Sequence, residues 1–119
     1  MTVSLRPTYL EVNLTQLKRN IDAIRAHVAP AKVMPMVKAN AYGHGVDGVA
    51  PFIEPYVDYF GVAILEEGIQ LRDFGVKKPI LVAGGTLPSQ LPHTIQKVAC
   101  RTADVQHGTW MACILRDNL

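Results

Sequence analysis

An α/β fold, in which helices cover a mainly parallel sheet, is what this 119-residue sequence predicts. Three observations carry that reading. Short apolar runs alternate with amphipathic stretches from Thr8 to about Ala83, the rhythm of strand-helix repeats. Leu14, Leu17, Ile21, Ile24 and Val28 recur at helical spacing, with Lys18, Arg19, Asp22 and Arg25 on the wetter side. The last clear apolar run ends in Gly84-Gly85, a turn that permits close backbone approach at the sheet end where α/β proteins bind ligands.

Taken in order, Thr8 to Val12 suits a strand, and Asn13 with Gln16 three residues on resembles a capping box that opens the first helix, which Pro30 closes. Val33 to Val37 reads as a strand buried on both faces, made less regular by the missing donor of Pro35. A small-residue loop, Lys38 to Gly45, follows. Asp47 then suits the cap of a short helix running towards Val57, distorted by Pro51 and Pro55. Tyr59 to Ile64 is a third strand. Glu66 to Phe74 is a helix with acids in its first turn and Gly75 as a left-handed stop, and Pro79 to Ala83 is a fourth strand.

Past residue 87 the rhythm weakens. Leu91 to Leu119 holds both cysteines, Trp110, His93 and His107, and Val98-Ala99-Cys100 is too short to make a convincing strand. Either a native irregular ending or a truncated or frame-shifted reading accounts for this. The expected division is therefore 1–87 and a tail, 88–119.

Composition narrows the function by elimination. The length suits one modest domain, and 12 basic side chains against 10 acidic ones, with no basic cluster interleaved with aromatics, give no reason to expect nucleic acid or an anionic membrane. No apolar signal core follows Met1, and no apolar stretch approaches the ~18 residues needed to span a bilayer, so a cytoplasmic protein with a small-molecule partner is expected. Cys100 and Cys113 form no metal-type spacing with the histidines, and no metal site is expected.

The chemistry concentrates after the second apolar run. A strand that leads directly into Lys38 places an amine at the rim of a packed core, where desolvation favours the neutral, nucleophilic form. Ala39, Ala41, Gly43 and Gly45 leave room for a flat ring and for backbone amides to approach an anion, and Tyr42 offers a phenol to a phosphate or carboxylate. On spacing alone plainer roles stay open: a lysine reaching water, a packed tyrosine, turn glycines. His44 reads as a loop or capping group rather than a base.

The run Val37-Lys38-Ala39-Asn40-Ala41-Tyr42-Gly43-His44-Gly45 resembles the pyridoxal-phosphate attachment signature of the alanine racemase family. Glu11-Val12-Asn13-Leu14, Phe60-Gly61-Val62-Ala63, Glu66-Glu67-Gly68, Leu71-Arg72 and Pro79 to Val82 look like family landmarks in family order, so the likeness runs from about residue 6 to 87. It implies a partial (β/α)8 TIM-type barrel of about four strand-helix units, with the lysine at the carboxyl end of the first barrel strand. The strand around Tyr9 to Val12 would belong with a C-terminal β domain and lie unpaired in this chain.

The resemblance also implies an activity. Pyridoxal 5'-phosphate would be held as a Schiff base on Lys38, Tyr42 would contact its phosphate, and L- and D-alanine would be interconverted to supply the cell wall, Lys38 serving the D-alanine face. The family's opposite-face base, a tyrosine contributed across a homodimer interface, and its ring-nitrogen arginine have no counterpart here. A weakly active fragment is therefore expected from these 119 residues. The alternatives are a pyridoxal-phosphate-binding protein without turnover, or a racemase of another amino acid.

Overall fold

The computed structural model describes residues 6–85, 87–90, 92 and 113–114. Its elements are helix α1 (Leu14–Val28), a tight turn at Lys38–Tyr42, helix α2 (Val46–Ile53) with a 3-10 turn at Glu54–Tyr56, strand β1 (Phe60–Val62), helix α3 (Leu65–Asp73), strand β2 (Ile80–Val82), a 3-10 turn at Pro88–Gln90, and strand β3 (Cys113–Ile114). The expected α/β organisation is borne out.

β1 and β2 pair in parallel, with Gly61 opposite Leu81, and β3 joins the far side of β2 in antiparallel sense. On the near side of β1, Met36 forms a parallel bridge to Gly61. The Val37 N–H donates to the Gly61 carbonyl at 2.8 Å, and the Gly61 N–H donates to the Pro35 carbonyl at 2.9 Å. Segment 33–37, β1 and β2 therefore lie side by side in chain order, as the opening strands of a parallel barrel do. The expected strand at 33–37 is reduced to that bridge, because Pro35 brings no N–H to a ladder. Nor is it buried on both faces: Met34 is exposed.

Thr8 to Val12 is not a strand, since a strand needs a partner and no described residue pairs with it; Tyr9 is 80 % exposed. The helix after it forms as expected. The Asn13 side chain accepts from the Gln16 N–H at 2.9 Å, but the Gln16 side chain turns to Asn20, so only half of the capping box is made. In the last turn of α1, Arg25 donates to the Tyr56 carbonyl at 2.8 Å and lies 3.0 Å from the Asp58 carboxylate, which also accepts from the Val33 N–H. The Val33 N–H, with Arg25 and Lys78 behind it, holds the Asp58 carboxyl below its ordinary range against the opposing effect of burial.

Two further expectations shift. Asp47 lies in the first turn of α2 and does not cap it; Gly45 is the capping residue. Pro51 is accommodated inside that helix, and the chain tightens into the 3-10 turn at Pro55. α3 ends as expected. Gly75, at φ 88°, donates to Arg72 and the Val76 N–H reaches back to Leu71, a Schellman closure sealed by the buried Leu71 and Val76 side chains.

The core lies where α2 and α3 cover the sheet. Phe60, Ile53, Leu71, Ile80, Val57, Val62, Val76 and Val82 are all fully buried, each contributing roughly 1.5–3 kcal/mol of apolar burial. Every residue of β1 is buried, as expected of a parallel strand covered on both faces. The proposed tail, with Cys100, His93, His107 and Trp110, lies outside the described residues except for short pieces such as β3. Among the described residues no helix is long and apolar enough to cross a membrane.

Candidate functional site

Register places the site. Met36, Gly61 and Leu81 stand level across the sheet, so Lys38, Ala63 and Ala83, two residues further on, emerge together at the carboxyl end of the parallel strands. The same edge is knitted beyond the strands: the Ala83 N–H donates to Val62 and the Gly84 N–H to the Ala63 carbonyl, both at 2.8 Å. A Cβ at position 84 would lie 2.4 Å from that carbonyl oxygen, so the close approach expected of Gly84-Gly85 is real and demands glycine at 84.

Lys38 opens a turn of unusual hand. Ala39, Asn40, Ala41 and Tyr42 all have φ between 50° and 58°, and the three of them before Tyr42 have ψ of 45–51°, the left-handed helical region. L-residues pay about 1–2 kcal/mol each to enter it, so such a run needs support from around it. The support is visible. The Asn40 carbonyl accepts from both Gly43 and Gly45, the Gly43 N–H also reaches Ala39, and Ala41 is buried in the core. The Asn40 side-chain oxygen accepts from the Val46 N–H at 2.9 Å, capping α2 from six residues upstream. The His44 ring nitrogen Nδ1 meets the Ala41 carbonyl at 2.9 Å, which makes His44 the capping group that its sequence context suggested.

The turn brings the two candidate cofactor residues together. Lys38 is half-buried, and its Nζ lies 6.0 Å from the centroid of the Tyr42 ring, which is 58 % exposed. Tyr42 and His44 also border an open cleft of about 650 Å³ whose other wall is α1, through Ile21 and Ile24.

Glu67, on the first turn of α3, stands in the sequence as an acid near a helix start and within the Glu66-Glu67-Gly68 landmark, with no role of its own. In the structure one of its oxygens accepts from the Ala39 N–H at 2.8 Å, and the other accepts from Ala63 at 2.8 Å and Ile64 at 3.3 Å. Burial pushes its carboxyl up, but those three amides and the Lys38 charge together hold it below its ordinary value. The contact with Ala39 spans 28 residues, so no local spacing could have announced it.

Residues 12–107 match the family model for the alanine racemase N-terminal domain. This chain belongs to the alanine racemase family. Alanine racemase 1 of Caldanaerobacter subterraneus subsp. tengcongensis is 45 % identical over 107 residues, covering 87 % of this chain and 28 % of that protein. Among solved structures, alanine racemase of Clostridium difficile superposes with a TM-score of 0.73 at 37 % identity, covering 80 % of this chain and 27 % of that one. Alanine racemase of Bartonella henselae, described with covalently bound pyridoxal phosphate, gives a TM-score of 0.67 at 28 % identity, over 74 % of this chain and 26 % of its own. The chain thus spans about a quarter of the length of the relatives it matches. Its sheet and helices are the opening part of the TIM-like barrel of alanine racemases.

Proposed function

We propose that this chain supplies the lysine side of a site that interconverts L- and D-alanine, with pyridoxal 5'-phosphate held covalently by Lys38 and its phosphate contacted by Tyr42. One observation carries the reading: an amine at the carboxyl end of a parallel sheet, on a turn that sets the centroid of a tyrosine ring 6.0 Å away, in a chain of the alanine racemase family. The donor set suits the group. A primary amine meets an aldehyde, a phenol meets a phosphate oxygen, and the nearby carboxylate of Glu67 is already engaged by backbone amides.

When bound, pyridoxal phosphate supplies a conjugated ring that makes the Cα proton of an attached amino acid acidic. The chain's own residues do the rest on one face. Once the amino group of the substrate has displaced it from the cofactor, the freed Lys38 Nζ would take or return the Cα proton on the D-alanine side, and the Tyr42 hydroxyl would anchor the phosphate end so that the proton stays within the amine's reach. The opposite-face base is proposed to come from a tyrosine of a C-terminal domain across a homodimer interface, outside these residues. A cytoplasmic setting and supply of D-alanine to the cell wall follow from the same reading.

Adding pyridoxal phosphate to the chain should give a visible absorption band that borohydride fixes as a mass adduct on Lys38. Lys38→Ala should abolish it, and Tyr42→Phe should weaken affinity about tenfold, the worth of a hydrogen bond to a charged group. A band that persists in Lys38→Ala would sink the proposal. Exchange of the alanine Cα proton into deuterated water separates turnover from binding alone.

A further inference from the structure

We propose that Glu67 is the positioning residue of the lysine site, its carboxylate bridging the left-handed turn that Lys38 opens to the end of β1. The proposal rests on the Lys38 reading for its functional meaning, but its geometry stands independently.

Three amides from two separate segments converge on one side chain. Ala39, the residue next to Lys38, donates to one oxygen, while Ala63 and Ile64, just beyond β1, donate to the other. A carboxylate has two acceptor oxygens and no donor, so it suits a gap lined only by N–H groups. Glutamine does not: whichever way its amide is turned, an NH2 faces an N–H. The bridge also closes the loop between the first two sheet segments at the site itself, since Met36 and Gly61 are already level.

Position in α3 explains how this carboxylate is available. Glu67 is the third residue of that helix, and Ile64 before it offers no side-chain acceptor, so Glu67 serves the start of its own helix through Ile64 while reaching across to Ala39. One side chain thereby satisfies a helix end, a strand end and the strained turn. The Lys38 charge is among the influences holding Glu67 ionised. Removing the carboxylate removes the mooring of Ala39, the residue next to Lys38.

Two measurements on the 119-residue chain test this without cofactor. In a proton–nitrogen NMR titration of the unmodified chain, the Ala39, Ala63 and Ile64 amide signals should shift together with one midpoint below 4.5, the ordinary glutamate value. Separate midpoints, or no shift, would overturn the bridge.

The second measurement follows acetylation of individual lysines by acetic anhydride, read by peptide mass spectrometry, with exposed Lys77 as internal reference. In Glu67→Gln the loss of the mooring at Ala39 should loosen the turn and raise the acetylation rate of half-buried Lys38 about threefold relative to Lys77. Glu66→Gln, which touches none of the three amides, should leave that rate in place. An unchanged Lys38 rate in Glu67→Gln would refute the positioning role. If Glu67→Gln does not fold, the amide titration of the unmodified chain decides. A chain that passes both tests yet forms no lysine-dependent pyridoxal band would refute the cofactor reading and leave Glu67 standing.

Discussion

Asn40 gives the sharpest test of how the lysine turn is held. It does two jobs at once: it occupies a left-handed conformation at φ 58°, and its side-chain oxygen caps the Val46 N–H of α2. In Asn40→Ala both are lost. The missing cap costs about 1 kcal/mol, and putting alanine in the left-handed region costs about 1 kcal/mol more than asparagine, for a total of about 2 kcal/mol. Asn40→Gly removes the cap but frees the backbone, so it should cost only about 1 kcal/mol. Asn40→Asp keeps an acceptor, tolerates the conformation and adds negative charge at a helix start, so it should stay within about 0.5 kcal/mol of the parent. Urea unfolding followed by far-ultraviolet circular dichroism should rank the variants Asp, Gly, Ala, from most to least stable. A glycine variant less stable than the alanine variant, or alanine equal to aspartate, would refute the double role.

Gly75→Ala forces alanine to φ 88° at the Schellman closure of α3 and should lower stability by about 1–2 kcal/mol in the same denaturation assay. Gly84→Ala drives a Cβ against the Ala63 carbonyl and should cost about 1–3 kcal/mol while weakening pyridoxal-phosphate binding, measured by absorbance titration. Asp58 has its pKa lowered from 3.8 by the Val33 N–H and Arg25, so its contribution is present above that value and lost as pH falls through the lowered one. Acid unfolding of the parent should therefore steepen below about pH 3.8, and Asp58→Asn should flatten the curve there; equal slopes would exclude that role.

The parts legible in the sequence are those whose cause is local. The stripe from Leu14 to Val28 announced α1, and Gly75 announced the end of α3, because periodicity and a left-handed stop depend on near neighbours. Thr8 to Val12 has the β-branched and aromatic residues of a strand, yet composition cannot supply the partner that makes one. Lys38 and Tyr42 were found by residue type and by the nine-residue signature, but the hand of their turn was hidden, since alanine and tyrosine carry no preference for it. Its causes lie in Glu67 and in the buried setting of Ala41, both products of tertiary packing. The same holds for the start of α2: proximity points to Asp47 as its cap, while the folded chain brings Asn40 round to the Val46 N–H.

The left-handed turn has a consequence for anyone who wishes to borrow this signature. Four consecutive L-residues in that conformation, one of them the more tolerant Asn40, carry a local cost of about 3–7 kcal/mol, comparable with the margin by which small domains stay folded. A synthetic peptide of residues 37–45 should therefore not adopt the shape, and neither should a transplant of those nine residues onto another scaffold that lacks an outside carboxylate and a burial site for the third residue of the turn. The signature is not a portable cassette: its letters lie in one short stretch, but its shape is leased from the fold around it.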